Sequence, residues 1–210
     1  MLTDIYKVKE GPMGRKKMGD ERREQIIQAF YDCLAETGHE SVTVKQIAVR
    51  AGLTHGAIHY YFANKDEIIE ALILSLIDRY ENDFNSLLTS NPTLKNIMPE
   101  LMSYFLDIFI FDKRLNRVFV NLTQMSFERE KVMVHMKKMF QAYRSNFKKL
   151  NMLAGIEENR AGILAMGMVA LLDGLSLQRV VDNKSVDKES VNKLFAILGS
   201  ATGLMMDSGE

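Results

Sequence analysis

The sequence predicts an all-α protein of about nine helices, in which a small three-helix domain precedes a larger C-terminal helical bundle. Only three of the 210 residues are proline, and 47% are hydrophobic. Between turn residues, apolar positions recur at three- and four-residue spacing, as on one face of a helix. We expect an N-terminal arm over 1–19, a three-helix domain over 20–65 and a bundle over 66–210.

The composition indicates a cytoplasmic protein without a membrane segment. No uninterrupted apolar run approaches the roughly 20 residues that span a bilayer. The first residues also lack the apolar core of a signal peptide. Cys33 is the single cysteine, so no disulfide can form within the chain, and we expect it to fill space in a helix.

The formal net charge is zero, so any contact with nucleic acid must depend on a local patch. Residues 1–70 carry ten basic and eleven acidic side chains. A basic, glycine-punctuated segment lies within 1–19, and we expect it to be flexible. It is either an arm that lies along phosphates or in a minor groove, or a solvated tail.

The first helix is expected to begin at Asp20 and to run for roughly 16 residues. Asp20 is a favourable N-cap, because its carboxylate can accept a hydrogen bond from a free amide of the first turn. Ile26, Phe30 and Leu34 follow at helical spacing and form the inward face. Gly38 is expected to end the helix.

The stretch 42–65 predicts two short helices joined by a tight turn. Thr43, with Gln46 three residues later, is typical of a capping box. Gly52 can end the first short helix in the left-handed conformation, and Thr54 can cap the second. This order is the plan of a helix-turn-helix, whose second helix enters the major groove of DNA.

The rest of the chain predicts a series of longer helices. Asn64 is expected to cap a helix from Lys65 to about Leu88, which leaves the small domain and enters the bundle. The remaining helices are predicted at about 93–111, 113–127, 128–153, 157–181 and 187–206. The last two are apolar and rich in small residues, so they either pack within one subunit or form a four-helix interface with a second copy.

The segment Thr54–Lys65, THGAIHYYFANK, resembles the signature of the tetracycline-repressor family (TetR/AcrR-type bacterial regulators). The match extends over about residues 20–70. The resemblance implies a DNA-binding transcriptional regulator, more often a repressor, that is homodimeric through its last two helices. It also implies that the dimer leaves a palindromic operator of double-stranded DNA when a small effector binds. His55 and His59 depart from the residues that are common in the family.

The motif geometry and the resemblance together suggest a set of DNA contacts. Side chains at the start of the second short helix would meet base edges, and those at the starts of the neighbouring helices would meet phosphates. The candidate DNA-binding residues are Thr43, Lys45, Thr54, His55, Gly56, His59, Tyr61 and Lys65. The spacing of His55 and His59 also suits zinc, but no further ligand cluster accompanies them, so we expect no metal and no cofactor.

The resemblance further implies a ligand cavity in the bundle, for a mainly apolar effector. The candidate lining residues are Phe105, Phe109, Phe119, Met125, Met136, Phe140, Tyr143 and Met166. Each of these side chains could instead be ordinary core. The helix Lys65–Leu88 is expected to transmit ligand binding to the DNA-binding domain.

Two other classes of function compete with a regulator. An enzyme is not expected, because no catalytic triad, phosphate loop or metal cluster is present. A helical adaptor that binds only protein could use the same bundle. Salt-dependent, sequence-specific DNA binding would separate a regulator from an adaptor.

Overall fold

The computed structural model describes residues 15–90 and 94–202, and this part of the chain contains nine α-helices and no strand. The helices are α1 (Arg15–Glu36), α2 (Val44–Arg50), α3 (His55–Tyr61), α4 (Lys65–Ser90), α5 (Leu94–Phe105), α6 (Lys113–Glu128), α7 (Glu130–Leu153), α8 (Glu158–Val181) and α9 (Lys188–Thr202). The all-α prediction is confirmed. Most of the predicted N-terminal arm, residues 1–14, lies outside the described residues.

Helix α1 differs from its prediction at both ends. It begins at Arg15, so Asp20 lies inside the helix and is not its N-cap. One interior glycine, Gly19, costs only about 1 kcal/mol, which good helix formers on either side can offset. The helix ends at Glu36. Gly38 has an ordinary φ of −72° and begins a short 3-10 turn instead of terminating α1.

The turn between α2 and α3 forms as the sequence predicts. Gly52 adopts φ +64°. The amide of Gly52 donates to the carbonyl of Val49 at 3.1 Å, and the amide of Leu53 donates to that of Ala48 at 2.9 Å. These two bonds form a Schellman motif, which satisfies carbonyls at the end of α2. The motif fixes the angle at which α3 leaves α2.

Helices α1, α2 and α3 share one core with the start of α4. The first helix supplies apolar side chains along one face, and α2 and α3 cover it. The fully or almost fully buried members are Ile26, Phe30, Leu34, Ile47, Ala48, Ile58, Phe62, Ile68 and Ile69. This core holds α3 at the surface with one face turned outward.

The fifth helix ends differently from the prediction. The sequence suggests one helix as far as Phe111, whereas the regular α-helix stops at Phe105 and the segment Leu106–Phe111 is π-helical. The side-chain amide of Asn116 on α6 donates to the carbonyl of Ile110 at 2.8 Å. A polar side chain from the start of the next helix therefore supports a backbone irregularity that apolar periodicity could not reveal.

Helices α4, α7 and α8 form much of the bundle core, and α6 lies between this core and α1. The chain turns from α7 into α8 at Gly155, which has φ +83° and repeats the Schellman pattern. Asn151 is buried at this turn, and its side-chain amide donates to the carbonyl of Ala161 at 3.2 Å.

Helix α8 carries a large apolar face that the described chain leaves exposed. Ile163, Met166, Leu177 and Val181 are 54–83% exposed and lie along one side of the helix. By length and composition α8 is apolar enough to cross a membrane, and it is the one such helix among the described residues. Its opposite side packs against α7. An apolar patch of this kind marks a surface that another molecule covers.

Candidate nucleic-acid interface and ligand cavity

Each short helix of the three-helix domain begins at a side chain that satisfies a free amide. The hydroxyl oxygen of Thr43 accepts from the amide of Gln46 at 3.2 Å, and the Gln46 side chain accepts from the amide of Thr43 at 2.7 Å. The hydroxyl oxygen of Thr54 accepts from the amide of Ala57 at 3.2 Å. The predicted capping box and the predicted cap of α3 are both confirmed.

The exposed face of α3 presents His55, Gly56 and His59 together. The two imidazole rings are in contact, with centroids 4.8 Å apart and planes at 73°. A Cβ added at Gly56 would meet no other atom within 4 Å, so the backbone there is open to an approaching molecule. Ile58 on the other side is fully buried, which fixes the face that α3 exposes.

Sequence reasoning missed Tyr60, which is 80% exposed on α3. Its ring packs edge-on against that of Tyr61, with centroids 5.0 Å apart. Tyr61 is half-buried, and its backbone carbonyl accepts a hydrogen bond from Arg23. The position two residues after the buried Ile58 was the signal that could have identified Tyr60 as an outward-facing residue.

The candidate phosphate-binding lysines have different surroundings. Lys45 is exposed on α2 and has no ionic partner among the described residues, so its charge is available. The ammonium group of Lys65 instead donates to the carbonyls of Val42 at 2.5 Å and His39 at 3.3 Å. Burial lowers the pKa of Lys65, with a smaller contribution from Arg129. Lys65 therefore holds the entry to α2 in place, a role that its sequence position did not suggest.

Metal binding gains no support at this face. Within the described residues, no group of three or more His, Cys, Asp or Glu side chains could hold a metal ion. Among these residues, His55 and His59 are therefore not accompanied by the further ligands that a zinc site needs.

Several side chains join the three-helix domain to the bundle. The Asn121 amide on α6 donates to the carbonyl of Leu34 at 3.1 Å, and its carbonyl oxygen accepts from the amide of His39 at 2.7 Å. The ion pair Arg114–Asp32 at 2.6 Å adds to this connection, because Asp32 lies on α1. On the bundle side, Arg129 pairs with Asp66 near the start of α4 at 2.6 Å, and the imidazole of His135 lies 3.2 Å from the carboxylate of Glu70. Contacts between α6 and α1 therefore link the two parts of the chain alongside α4.

The bundle encloses a small cavity that only some of the candidate ligand residues line. Phe109, Phe119 and Tyr143 line it, and Phe140 packs against Phe119 with ring centroids 5.8 Å apart. The other side chains of its wall are Leu76, Leu115, Asn116, Met139, Asp173 and Ser176. The cavity has a volume of about 20 Å³, enough for one water molecule.

The remaining candidates lie elsewhere. Phe105, Met125 and Met136 are buried in the core and do not line the cavity. Met166 is 58% exposed on the outer side of α8, so its prediction as a lining residue is wrong. Apolar and small residues surround α8 on every side, so periodicity could not identify its inward face. A lone carboxylate in this apolar run, Asp173, was the available signal for the side that faces the cavity.

Burial raises the pKa values of the two titratable side chains that line the cavity. Desolvation raises the pKa of Asp173 to about 6, from an ordinary value of 3.8. Burial also raises the pKa of Tyr143, and the neighbouring charge of Asp173 raises it further. The cavity wall is therefore apolar with one polar corner, in which a carboxylate and a phenol lie close together.

Comparison with known proteins identifies related chains. Residues 26–72 match the family model described as bacterial regulatory proteins, tetR family. The HTH-type transcriptional regulator HbdR of Aromatoleum sp. (strain CIB) is 37% identical over 67 residues, which cover 32% of this chain and only 29% of HbdR. The HTH-type transcriptional regulator PksA of Bacillus subtilis (strain 168) is 26% identical over 184 residues, 83% of this chain and 86% of PksA.

The fold extends to solved structures of low sequence identity. A transcriptional-regulator structure from Saccharomonospora viridis, in complex with choline, superposes with a TM-score of 0.69 at 17% identity. The superposition covers 86% of this chain and 96% of that one. The likeness therefore includes the bundle as well as the three-helix domain.

Proposed function

Because the chain belongs to the TetR family of bacterial regulatory proteins, whose members are DNA-binding transcriptional regulators, we propose that it is a ligand-responsive repressor. In this proposal a cytoplasmic homodimer binds a palindromic operator. A small molecule that enters the bundle then favours a state that no longer fits the operator. The observation that carries the proposal is the outward face of α3, which is held between a capped start and a buried underside.

The contacts with DNA divide into base readers and phosphate holders. We assign His55, Gly56 and His59 to the major-groove edges, because they share the exposed face of α3. We assign Lys45 and the hydroxyl of Thr43, both at the start of α2, to contacts with phosphate. Thr54 and Tyr61 complete the predicted contacts on α3 and its flanks, and the exposed Tyr60 joins them as a new candidate.

Lys65 contributes to this interface mainly by holding the backbone that leads into α2. Two backbone carbonyls already accept hydrogen bonds from its ammonium group. One donor hydrogen is left for a phosphate oxygen, since an ammonium group has three. We propose that Lys65 keeps α2 in register, with any phosphate contact a secondary effect.

The outer face of α8 supports dimerisation through the last two helices. Its exposed apolar side chains lie on the side opposite to α7, and Gly167 and Ala170 lie among them. Small residues there let a second helix approach closely, and a two-fold axis would bring two copies of the face together. Two recognition helices related by that axis would read the two halves of a near-palindrome.

A structural change caused by ligand binding can be transmitted to α3 through α6. Leu115, Asn116 and Phe119 line the cavity, and Asn121 follows them on the same helix. The side-chain amide of Asn121 donates to the carbonyl of Leu34 in α1, and its oxygen accepts from the amide of His39 between α1 and α2. A shift of α6 would therefore move the three-helix domain, in addition to any movement of α4.

Selection of bound fragments from a random DNA pool tests the proposal. We expect a palindromic consensus and an affinity that falls steeply with salt. Lys45→Ala should weaken binding to all sequences and reduce the slope of log affinity against log salt by about 1. Lys138→Ala on α7 is the matched control, because Lys138 is also exposed but lies on the bundle. If no DNA is retained at low salt, the chain is better described as a protein-binding adaptor.

A further inference from the structure

The cavity of the bundle contains a carboxylate that has no partner. Among the described residues, the side chain of Asp173 makes no hydrogen bond and no ion pair. Its neighbours on the wall are apolar or neutral, and Tyr143 is the other titratable group that lines the cavity. The carboxylate is therefore half-buried on a mainly apolar wall and, within the described chain, has no cationic side chain to pair with.

Such an arrangement opposes the stability of the empty protein. Removing a carboxylate from water without a compensating cation is unfavourable, and here the cost is expressed as the raised pKa of Asp173. Groups with this combination of desolvation and location in a cavity occur preferentially at functional sites. A bound group of opposite charge would remove the penalty.

Aromatic rings complete the surroundings of the carboxylate. Phe109 and Tyr143 meet edge to face with centroids 4.9 Å apart, and Phe119 lies on the same wall. Faces of aromatic rings attract cations, and the attraction strengthens when water is excluded. A carboxylate beside several aromatic rings is the chemistry that recognises an organic cation.

The chain does not supply that cation itself. No Lys, Arg or His side chain is among the residues that line the cavity. Arg179, on the same helix, is committed elsewhere: its guanidinium lies 4.6 Å from the ring centroid of Phe111 and donates to the carbonyl of Val186 at 2.5 Å. The carboxylate of Asp173 is therefore available to pair with a cationic group of a bound molecule.

We propose that the cavity binds an organic cation, an amine or a quaternary ammonium group on an apolar body, whose charge pairs with Asp173. This inference rests on the proposed function, because it gives the effector of the repressor a chemical class. It also changes the expectation from the sequence, which was a mainly apolar ligand. The apolar body would contact the aromatic wall and the charge would lie at the polar corner of Asp173 and Tyr143.

The ligand needs more room than the closed cavity offers. A surface groove of about 770 Å³ lies next to it, and Leu115 lines both. Phe111, at the end of the π-helical segment, also lines the groove, and Phe109 of the same segment lines the cavity. Rearrangement of Leu115 and of this segment would join the two spaces, so the apolar body could extend into the groove. Met139 on the wall can adapt its shape.

Calorimetric titration with three probes of equal length tests the proposal. The probes are phenylbutylamine, phenylbutanol and phenylbutyrate, which differ only in a cationic, neutral or anionic end group. We expect the amine to bind roughly tenfold tighter than the alcohol, since a charge-assisted contact replaces a neutral one, and the carboxylate to bind weakest. Absence of amine binding, or equal affinities for amine and alcohol, would overturn the proposal.

Two variants assign the preference to one side chain. Asp173→Asn should abolish the selectivity for the amine while keeping the affinity for the alcohol, and its melting curve shows whether it folds. Asp78→Asn is the matched control, because Asp78 is exposed on α4 and does not line the cavity. Retained amine selectivity in Asp173→Asn would refute the assignment.

DNA binding provides a separate readout. Operator binding by the ligand-free wild type tests the repressor function without any ligand. If the protein binds its operator and the amine binds without releasing it, the cation site stands and ligand-responsive repression fails. If the operator is bound but none of the probes binds the protein, the cation proposal fails alone.

Discussion

At the scale of single residues, Asn121 has an unusual concentration of partners. Its side-chain amide donates to the carbonyls of Leu34 and Arg117, the second at 2.8 Å, and its oxygen accepts from the amide of His39. The side chain is buried, so none of these groups can turn to water instead. One amide thereby satisfies backbone groups from two parts of the fold.

Replacing Asn121 by Ala should lower the free energy of unfolding by about 1–3 kcal/mol, because the amide of His39 is left without its acceptor. Urea denaturation measures the change. Asn85→Ala on the exposed side of α4 is the control and should leave stability unchanged or slightly raised. Equal midpoints for Asn121→Ala and the wild type would show that water or a backbone shift replaces the lost bonds.

Asp173 predicts a specific dependence of stability on pH. Its pKa is raised to about 6, so the folded protein holds a proton that the unfolded chain releases at lower pH. Stability therefore falls as pH rises from about 4 to about 6 and stays lower above that range. The phenol of Tyr143, the other titratable group on the cavity wall, has a raised pKa and stays neutral throughout.

Asp173→Asn should consequently be more stable than the wild type at about pH 8, by roughly 1–2 kcal/mol once partial solvent exposure is allowed for. The difference should vanish near pH 4, where the native carboxyl is protonated. Thermal denaturation at both pH values measures it. A variant that is destabilised at about pH 8 would show that the carboxylate has a structural partner.

At the scale of elements, the helix-turn-helix owes its geometry to local signals that agree with one another. The capping box at Thr43, the left-handed Gly52 and the cap at Thr54 each act within a few residues. The side chain of Gln25 on α1 then donates to the carbonyl of Ala51 at 2.6 Å, which fastens the turn to the first helix. A turn that is determined locally and then anchored is suited to presenting a rigid recognition helix.

Two glycines of this element should respond in opposite ways to the same substitution. Gly52→Ala should destabilise the protein by about 1–2 kcal/mol, because its φ of +64° strains a residue with a Cβ. Gly56→Ala should raise stability by up to about 1 kcal/mol, since Gly56 is helical and a Cβ there meets nothing. Melting temperatures of the two variants test both directions.

Operator affinity separates the roles of the same two glycines. Gly56→Ala should weaken binding by about tenfold, because the added methyl group stands between α3 and the base edges. Gly52→Ala should bind normally at temperatures where it is folded. Unchanged affinity in Gly56→Ala would place the reading face of α3 elsewhere.

At the scale of the whole molecule, the exposed side of α8 is an apolar surface that nothing in the described chain covers. Ile163, Met166, Leu177 and Val181 would be unfavourable in water. A second copy of the chain can cover them through a two-fold axis, and dimerisation in turn provides the two recognition helices that a palindrome needs. The interface and the operator are therefore linked by symmetry.

Leu177→Glu should convert the dimer to a monomer at micromolar concentration, because a carboxylate would be buried in the interface without a partner. Sedimentation velocity measures the mass, and operator affinity should fall with it. Phe127→Glu is the control: Phe127 is 78% exposed at the end of α6, away from this face. A monomeric wild type would remove the basis for the predicted interface.

The sequence by itself determined the features that depend on neighbours along the chain. The all-α class, the positions of α2, α3 and α4, and the outward set of His55, Gly56 and His59 follow from caps, a turn glycine and helical periodicity. The hydrogen bonds of these caps and of the turn join residues three to five positions apart, so both partners can be recognised within one short stretch of the sequence.

Only the tertiary structure decided which side of each long helix faces inward and which distant groups meet. It placed the half-buried Asp173 on the cavity wall with Tyr143 and exposed Met166, although Asp173 and Met166 lie on the same apolar helix. It also brought the ammonium group of Lys65 to two backbone carbonyls, and the side chain of Asn121 to Leu34 on α1 and to His39 after it. These contacts join residues up to 87 positions apart. The periodicity of apolar residues describes only one helix at a time. Which neighbour covers an apolar face depends instead on how all the helices pack together.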